Sequence, residues 1–145
     1  PGQTKADDAR NLALLRSLDP DMIGLGPWIP HPETPLGREA GARDGANLSL
    51  RLLALARLFC PEANIVSTTA LGVVRRSRLD GLHWGANVIM PNVTPSPWRR
   101  LYDIYPGIGD GEPPAAIRRA LAEAGRFVAP GRGDSIRYHN RKGDE

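Results

Sequence analysis

The sequence predicts an α/β fold on a parallel sheet, and three observations predict it. Short strand-like runs occur at residues 21–26 (DMIGLG), 64–69 (NIVSTT) and 86–90 (ANVIM). Longer helix-forming segments separate them, so strands alternate with helices as in βα units. Three such strands would leave two unpaired edges and one uncovered apolar face. The units therefore read as part of a larger closed barrel.

The elements follow in chain order. Thr4 and Asp7 form a loose capping box ahead of Leu12, Leu14, Leu15 and Leu18, which predicts a helix over 5–17 closed by Pro20. The run at 21–26 is apolar and ends in glycine, as a buried strand does. A loop rich in proline and glycine is expected over 27–46. Residues 48–59 are strongly apolar and long enough for a helix, with Asn47 as a cap and Pro61 as a stop. The β-branched content of 64–69 predicts the second strand. A poorer helix is expected over 76–84, weakened by Gly81. The third strand, 86–90, stops at Pro91. Ser96 and Pro97 open a helix to about residue 104. A last helix starts at Pro113 or Pro114, carries Ile117, Leu121 and Ala124 on one stripe, and ends at Gly125. The expected order is α-β-α-β-α-β-α-α.

Composition sets bounds on function. The 145 residues include 16 glycines and 14 prolines, more than a fifth of the chain, so loops are many or long. The net charge of +3 is too small to argue for nucleic acid or an anionic membrane. Arg132, Arg137, Arg141 and Lys142 read as a solvated basic tail. One cysteine, Cys60, cannot make an internal disulfide or hold a cluster alone. It reads as a buried structural thiol, compatible with a reducing, cytoplasmic setting. No stretch approaches the ~20 apolar residues that span a bilayer, and no secretory signal is present. The chain begins at Pro1, which suggests a fragment or a processed product.

Chemistry in parallel βα proteins collects where strands end. Those ends carry Gly24, Gly26, Trp28 and His31, then Ser67, Thr68 and Thr69, then Met90, Asn92 and Thr94. No carboxylate pair and no Ser-His-Asp order stands among them, so a hydrolase is poorly supported. Alternation puts Met22, Gly24 and Gly26 on one strand face, and Val88 with Met90 on one face of another. The glycine face suits a wall where a ligand approaches the backbone. From pattern alone Met22 and Met90 read equally as core filler. Thr68 and Thr69 read first as strand formers and loop hydrogen-bonders. His31 reads as a loop-fixing residue, since metal ligands come in sets. Gly24-x-Gly26 lacks the third glycine of a dinucleotide fingerprint. Tyr102 and Tyr105 share a helical face. The stretch 131–135, GRGDS, reads as a glycine-shaped turn.

Several strings together resemble the HydE-type maturases of FeFe-hydrogenase. They are Gly2-Gln3-Thr4, Asp21-Met22-Ile23-Gly24, Gly26-Pro27-Trp28-Ile29-Pro30-His31-Pro32 with Thr34-Pro35-Leu36, and Thr68-Thr69-Ala70. Gly85-Ala86-Asn87-Val88-Ile89-Met90-Pro91-Asn92, Tyr102 with Tyr105-Pro106-Gly107, and the closing 131–135 continue the likeness. It spans nearly the whole chain, and the I-P-H-P-x-T-P-L and G-A-N-V-I-M-P-N strings are its specific parts. Biotin synthase and methylornithine synthase share the architecture and parts of the pattern.

The resemblance implies a (β/α)8 radical-SAM barrel. Residues 1–112 would be its C-terminal part, the last three βα units, and 113–145 a C-terminal helix and basic tail. It implies a 4Fe-4S cluster that reductively cleaves S-adenosylmethionine, giving a radical that attacks a small iron–cysteine substrate on the way to the di-iron subcluster of the H-cluster. Met22, Thr68, Thr69, Met90 and Tyr105 correspond to cavity-lining positions. The cluster motif C-x3-C-x2-C belongs to the N-terminal barrel half and is absent here. No cluster or S-adenosylmethionine is therefore expected on this chain alone, and the N-terminal half is the expected partner, with other hydrogenase maturation proteins as further candidates. The segment 108–114 carries no cysteine, so no accessory cluster is expected, and Ile108 stands where a lysine is common. The alternatives are another biotin synthase-like enzyme and a non-catalytic barrel remnant that binds a partner through its strand edges.

Overall fold

The structure is a computed structural model that describes residues 2–39, 45–75, 77–99, 101, 105–106 and 111–143. Helix α1 (Lys5–Leu18) opens on the expected capping box: the Asp7 N–H donates to the Thr4 hydroxyl, and the Thr4 N–H donates to the Asp7 carboxylate at 2.8 Å. It closes where Asp19 turns left-handed at φ 50°, with its N–H on the Leu15 carbonyl. Aspartate tolerates that conformation better than most residues. Strand β1 (Met22–Leu25) follows, then the short α2 (Pro35–Glu39) and the long α3 (Gly45–Phe59). Strand β2 (Asn64–Ser67) leads into α4 (Thr69–Arg75) and α5 (Leu79–His83). Beyond them lie α6 (Ser96–Arg99), α7 (Pro114–Glu123) and α8 (Ile136–Gly143).

β1 and β2 pair in parallel, Met22 opposite Asn64 through Leu25 opposite Ser67. Most of the core lies on one side of this sheet, although Val66 of β2 is buried on the other. Ile23 and Ile65 sit against Leu12 of α1 and Leu50, Leu53 and Ala56 of α3, with Leu71, Ala86 and Cys60 closing the edges. Each such aliphatic side chain removed from water contributes about 1.5–3 kcal/mol. Cys60 is a buried core thiol, as its sequence position suggested.

Several boundaries differ from expectation. The second strand stops at Ser67, because Thr68 turns to start α4: its hydroxyl accepts from the Leu71 N–H and its carbonyl from the Gly72 N–H. α3 starts at Gly45, so Asn47 lies inside it rather than capping it. The helix expected over 76–84 is the single turn α5. Only the first turn of the helix expected to reach residue 104 is described, and residues 100 and 102–104 lie outside the described residues.

The largest departure is the third strand. Val88 alone bridges β2, at Val66. The Ser67 N–H donates to the Val88 carbonyl and the Val88 N–H to the Ile65 carbonyl, one parallel repeat. Just before it, the Asn87 side chain takes the ladder's place, its Oδ1 accepting from the Ile65 N–H at 2.7 Å. Proline at 91 then removes a donor.

Arg57 of α3 secures this junction. Its guanidinium donates to the carbonyls of Gly85 (3.0 Å), Pro61 and Ala63 (2.8 Å each) and to Asn87 Oδ1 (2.9 Å). Gly85 sits at φ 108°, and a Cβ there would come within 2.9 Å of Arg57 Cβ. Burial lowers the Arg57 pKa from its ordinary value, an effect that the nearby Cys60 opposes. Arginine stays charged regardless. Removing a charged donor from the part-buried carbonyls of Gly85 and Ala63 strands them, so Arg57→Ala is expected to cost about 1–3 kcal/mol. Arg57→Lys should recover little, because a point ammonium cannot serve a fork of acceptors. Urea unfolding of the variants checks both, and a wild-type midpoint for Arg57→Ala would refute the assignment.

The basic tail is not simply solvated. α8 and the turn before it dock at the N-terminal ends of the strands. Ser135 is buried and donates to Asp21 Oδ1 at 2.8 Å, and the Asn64 amide donates to the Gly133 carbonyl at 2.9 Å. Arg141 pairs with Asp21 and Arg137 with Asp19, while Asn140 donates to Glu62. Gly131 and Gly133 both have positive φ, as the glycine-shaped turn required. The Ser135 hydroxyl, and after it Arg141, hold the Asp21 carboxyl below its usual range. Such a group stabilises the fold above its unfolded pKa, about 3.9 for aspartate, and ceases to as pH falls through the folded value. The tail should stay docked at neutral pH and loosen on acidification below about pH 4. Asp21→Asn should loosen it already at neutral pH. Tyr138 ring resonances, followed by NMR, check this; identical spectra for the variant and the wild type at neutral pH would refute it.

Candidate functional site

The register sorts the strand residues into two faces. Paired residues of neighbouring strands project the same way. Met22 and Asn64 form one row, and Gly24, Val66 and Val88 the next. Gly26, Thr68 and Met90 follow these rows at the strands' C-terminal end, beyond the paired residues. Ile23, Leu25, Ile65 and Ser67 face the other way, toward the helices.

The first face is open around both methionines: Met22 is 52% exposed and Met90 56%. A Cβ built on Gly24 meets no atom within 4 Å, so the sheet is bare there. Gly26 differs. A Cβ there would lie 2.3 Å from Thr68 Oγ1. The close approach expected of a ligand is made by this threonine instead.

The five expected site residues are thus brought together only in part. The register sets Met22 on the open face, while Thr68 and Met90 lie just past the paired residues at its C-terminal end. Thr68 is half-buried, and its hydroxyl oxygen caps α4. Thr69 is the first residue of α4 and is also half-buried. Tyr105 is half-buried beyond α6, with no hydrogen bond or ring contact to the strand ends among the described residues. Tyr102 lies outside the described residues. His31 fixes its loop as expected: its carbonyl accepts from the Thr34 N–H and hydroxyl, and its Nδ1 accepts from the Glu33 N–H at 3.3 Å.

Sequence reasoning missed Arg78. It stands between α4 and α5 and donates from Nη1 to the Met90 carbonyl at 2.7 Å. One arginine of three in the 75–78 run, before a short helix, gives no local signal of that partner. It also missed Asn64 and Asn87, joined side chain to side chain at 3.0 Å. Their signal was available, since an asparagine stands at or next to the start of each of two strand runs. A cavity of about 110 Å³ lies on the opposite side, between α1, α3 and the end of β1. Gln3, Asp8, Asn11 and Ser49 give it polar walls, and of the strand-end positions singled out in the sequence only Gly26 lines it. Among the described residues no three His, Cys, Asp or Glu side chains gather as a metal site, and no helix is long and apolar enough to cross a membrane.

No protein-family model matches the chain. A curated relative does: the FeFe hydrogenase maturase subunit HydE of Thermotoga maritima is 50% identical over 108 residues. The match takes in 74% of this chain and 30% of that protein. The fold is that of a parallel α/β protein. Identity at that level places the chain in the HydE family. It spans about a third of the length of the relative it matches.

The two glycines of the open face separate by their surroundings. Gly26→Ala drives a methyl into Thr68 and is expected to cost about 1–3 kcal/mol. Gly24→Ala meets open space and should change stability by less than about 0.5 kcal/mol. Thermal melts of the pair check the difference, and equal losses would refute it.

Proposed function

We propose that this chain is the C-terminal segment of a radical-SAM enzyme acting in assembly of the FeFe-hydrogenase H-cluster, at its di-iron subcluster. Its strands would be an arc of a (β/α)8 barrel, the last three βα units. The observation that carries this reading is the 50% identity over 108 residues with a HydE maturase. Three features of the chain support the arc. β1 and β2 are parallel neighbours in sequence order, Val88 extends that order on the far edge of β2, and α1 and α3 pack against the Ile23 and Ile65 face.

In this reading the open face is the barrel interior, and Met22, Thr68, Thr69, Met90 and Tyr105 line the substrate cavity. The threonine hydroxyls would hold polar groups of the substrate. The thioethers would supply soft, water-excluding walls that do not compete as strong hydrogen-bonding groups.

A 4Fe-4S cluster, with the S-adenosylmethionine it activates, needs a set of cysteine thiolates. This chain offers Cys60 alone, and Cys60 is in the core at 3% exposure. The residues here do not fit the cluster, and no step through it is assigned to them. The cluster and S-adenosylmethionine belong, in this reading, to an N-terminal barrel portion that completes the cylinder. The free outer edge of β1, unpaired among the described residues, favours completion by such a portion. The same edge would serve a non-catalytic remnant that binds a partner, which is the second reading.

The test uses the full-length maturase containing this segment. Met90→Ala removes about 1.5–3 kcal/mol of apolar contact if Met90 touches the substrate. Hydrogenase activation should then fall roughly 10- to 100-fold. Stability of the variant should change little, since Met90 is half exposed in this chain. Wild-type activation by Met90→Ala would overturn the cavity reading.

A further inference from the structure

The chain leaves β2 poorly supported just where Met90 stands. The last ladder bond runs from the Ser67 N–H to the Val88 carbonyl, at 2.9 Å. Pro91 follows Met90 and has no N–H to give. What holds the Met90 backbone is Arg78 Nη1, at 2.7 Å from its carbonyl.

Arg78 is itself held from β2. Its carbonyl accepts from the Ser67 hydroxyl at 2.7 Å, and Ser67 is buried in the last position of that strand. The arginine stem crosses α4 at Gly72, where a Cβ would lie 2.7 Å from Arg78 Cγ and 3.3 Å from Nε. Only glycine leaves that path free. The nearest acid in sequence, Asp80, is engaged by Arg75 at 2.8 Å. The Arg78 charge is therefore spent on a neutral carbonyl, a hydrogen bond stronger than an amide would make. Three residue choices combine in one brace: a serine at a strand end, a glycine inside a helix and an arginine between helices.

We propose that Arg78 is a positioning residue for the substrate cavity, fixing Met90 at the third strand's exit in place of the absent ladder bonds. The role rests on the reading of Met90 as cavity wall. A wall residue displaced by an ångström loses its contact, and such displacements weaken catalysis without touching the chemistry.

Met22 and Met90 are the chain's two methionines, so methyl-13C-methionine labelling gives one signal for each. In the 145-residue chain, Arg78→Leu keeps the stem over Gly72 and removes the donor. The Met90 signal should shift and broaden while the Met22 signal, which reports an intact fold, stays in place. Arg78→Lys should restore the Met90 signal, because only one donor is used. Gly72→Ala should reproduce the leucine variant by pushing the stem aside. An unmoved Met90 signal in Arg78→Leu overturns the proposal. In the full-length maturase, Arg78→Leu should lower hydrogenase activation about tenfold, with recovery by Arg78→Lys. A moved Met90 signal with wild-type activation would overturn the cavity reading and leave the brace standing.

Discussion

The Arg57 guanidinium gathers four oxygen acceptors from two separate stretches of chain, and the junction of helix, strand and loop depends on it. Its partners are the carbonyls of Pro61, Ala63 and Gly85 and the Asn87 side chain. Two of these carbonyls follow α3, where no helical donor remains. A carboxylate partner would neutralise the charge but leave the carbonyls unpaired. The planar fork serves several at once. Asn87 passes the constraint on, accepting from the Ile65 N–H and donating to Asn64, whose own amide reaches the Gly133 carbonyl. One cation thus links α3, β2, the Val88 segment and the C-terminal turn.

That network sits at the N-terminal ends of the strands, and the tail covers the same end. The opposite end is treated differently. There the polar bonds are few and directional: Thr68 caps α4, Ser67 holds Arg78, and Arg78 holds Met90. The division matches a general property of parallel βα proteins, in which one end carries stability and the other carries sites. It also explains why the open face can be bare. The sheet is anchored from its helix-covered side and its lower end, and on the Met22 and Gly24 side only the β2 residues Asn64 and Val66 are buried.

Much of the frame was legible in the residues. The capping box at Thr4 and Asp7, the runs that became β1 and β2, and the glycine stop at Gly125 are local signals and were read close to their places. The open face was legible as well, since alternation alone sets Met22 with Gly24 and Ile23 with Leu25. The site was legible less fully. Gly26 looked like a place for a ligand, and Thr68 occupies it. Thr68 and Thr69 looked like strand residues, and they start a helix. Tyr105 carried no pattern that could tie it to the strand ends.

The sequence by itself determined the alternation of elements and the burial of their apolar faces, because periodicity and caps act over a few residues. Tertiary structure decided the length of the third strand, the docking of the tail and the brace on Met90. These rest on bonds between residues 30 apart (Arg57 and Asn87), 114 apart (Asp21 and Ser135) and 12 apart (Arg78 and Met90). A polar side chain does not announce a partner that distant. The same arginine reads as solvated tail, surface charge or structural clasp until the fold brings an acceptor within reach.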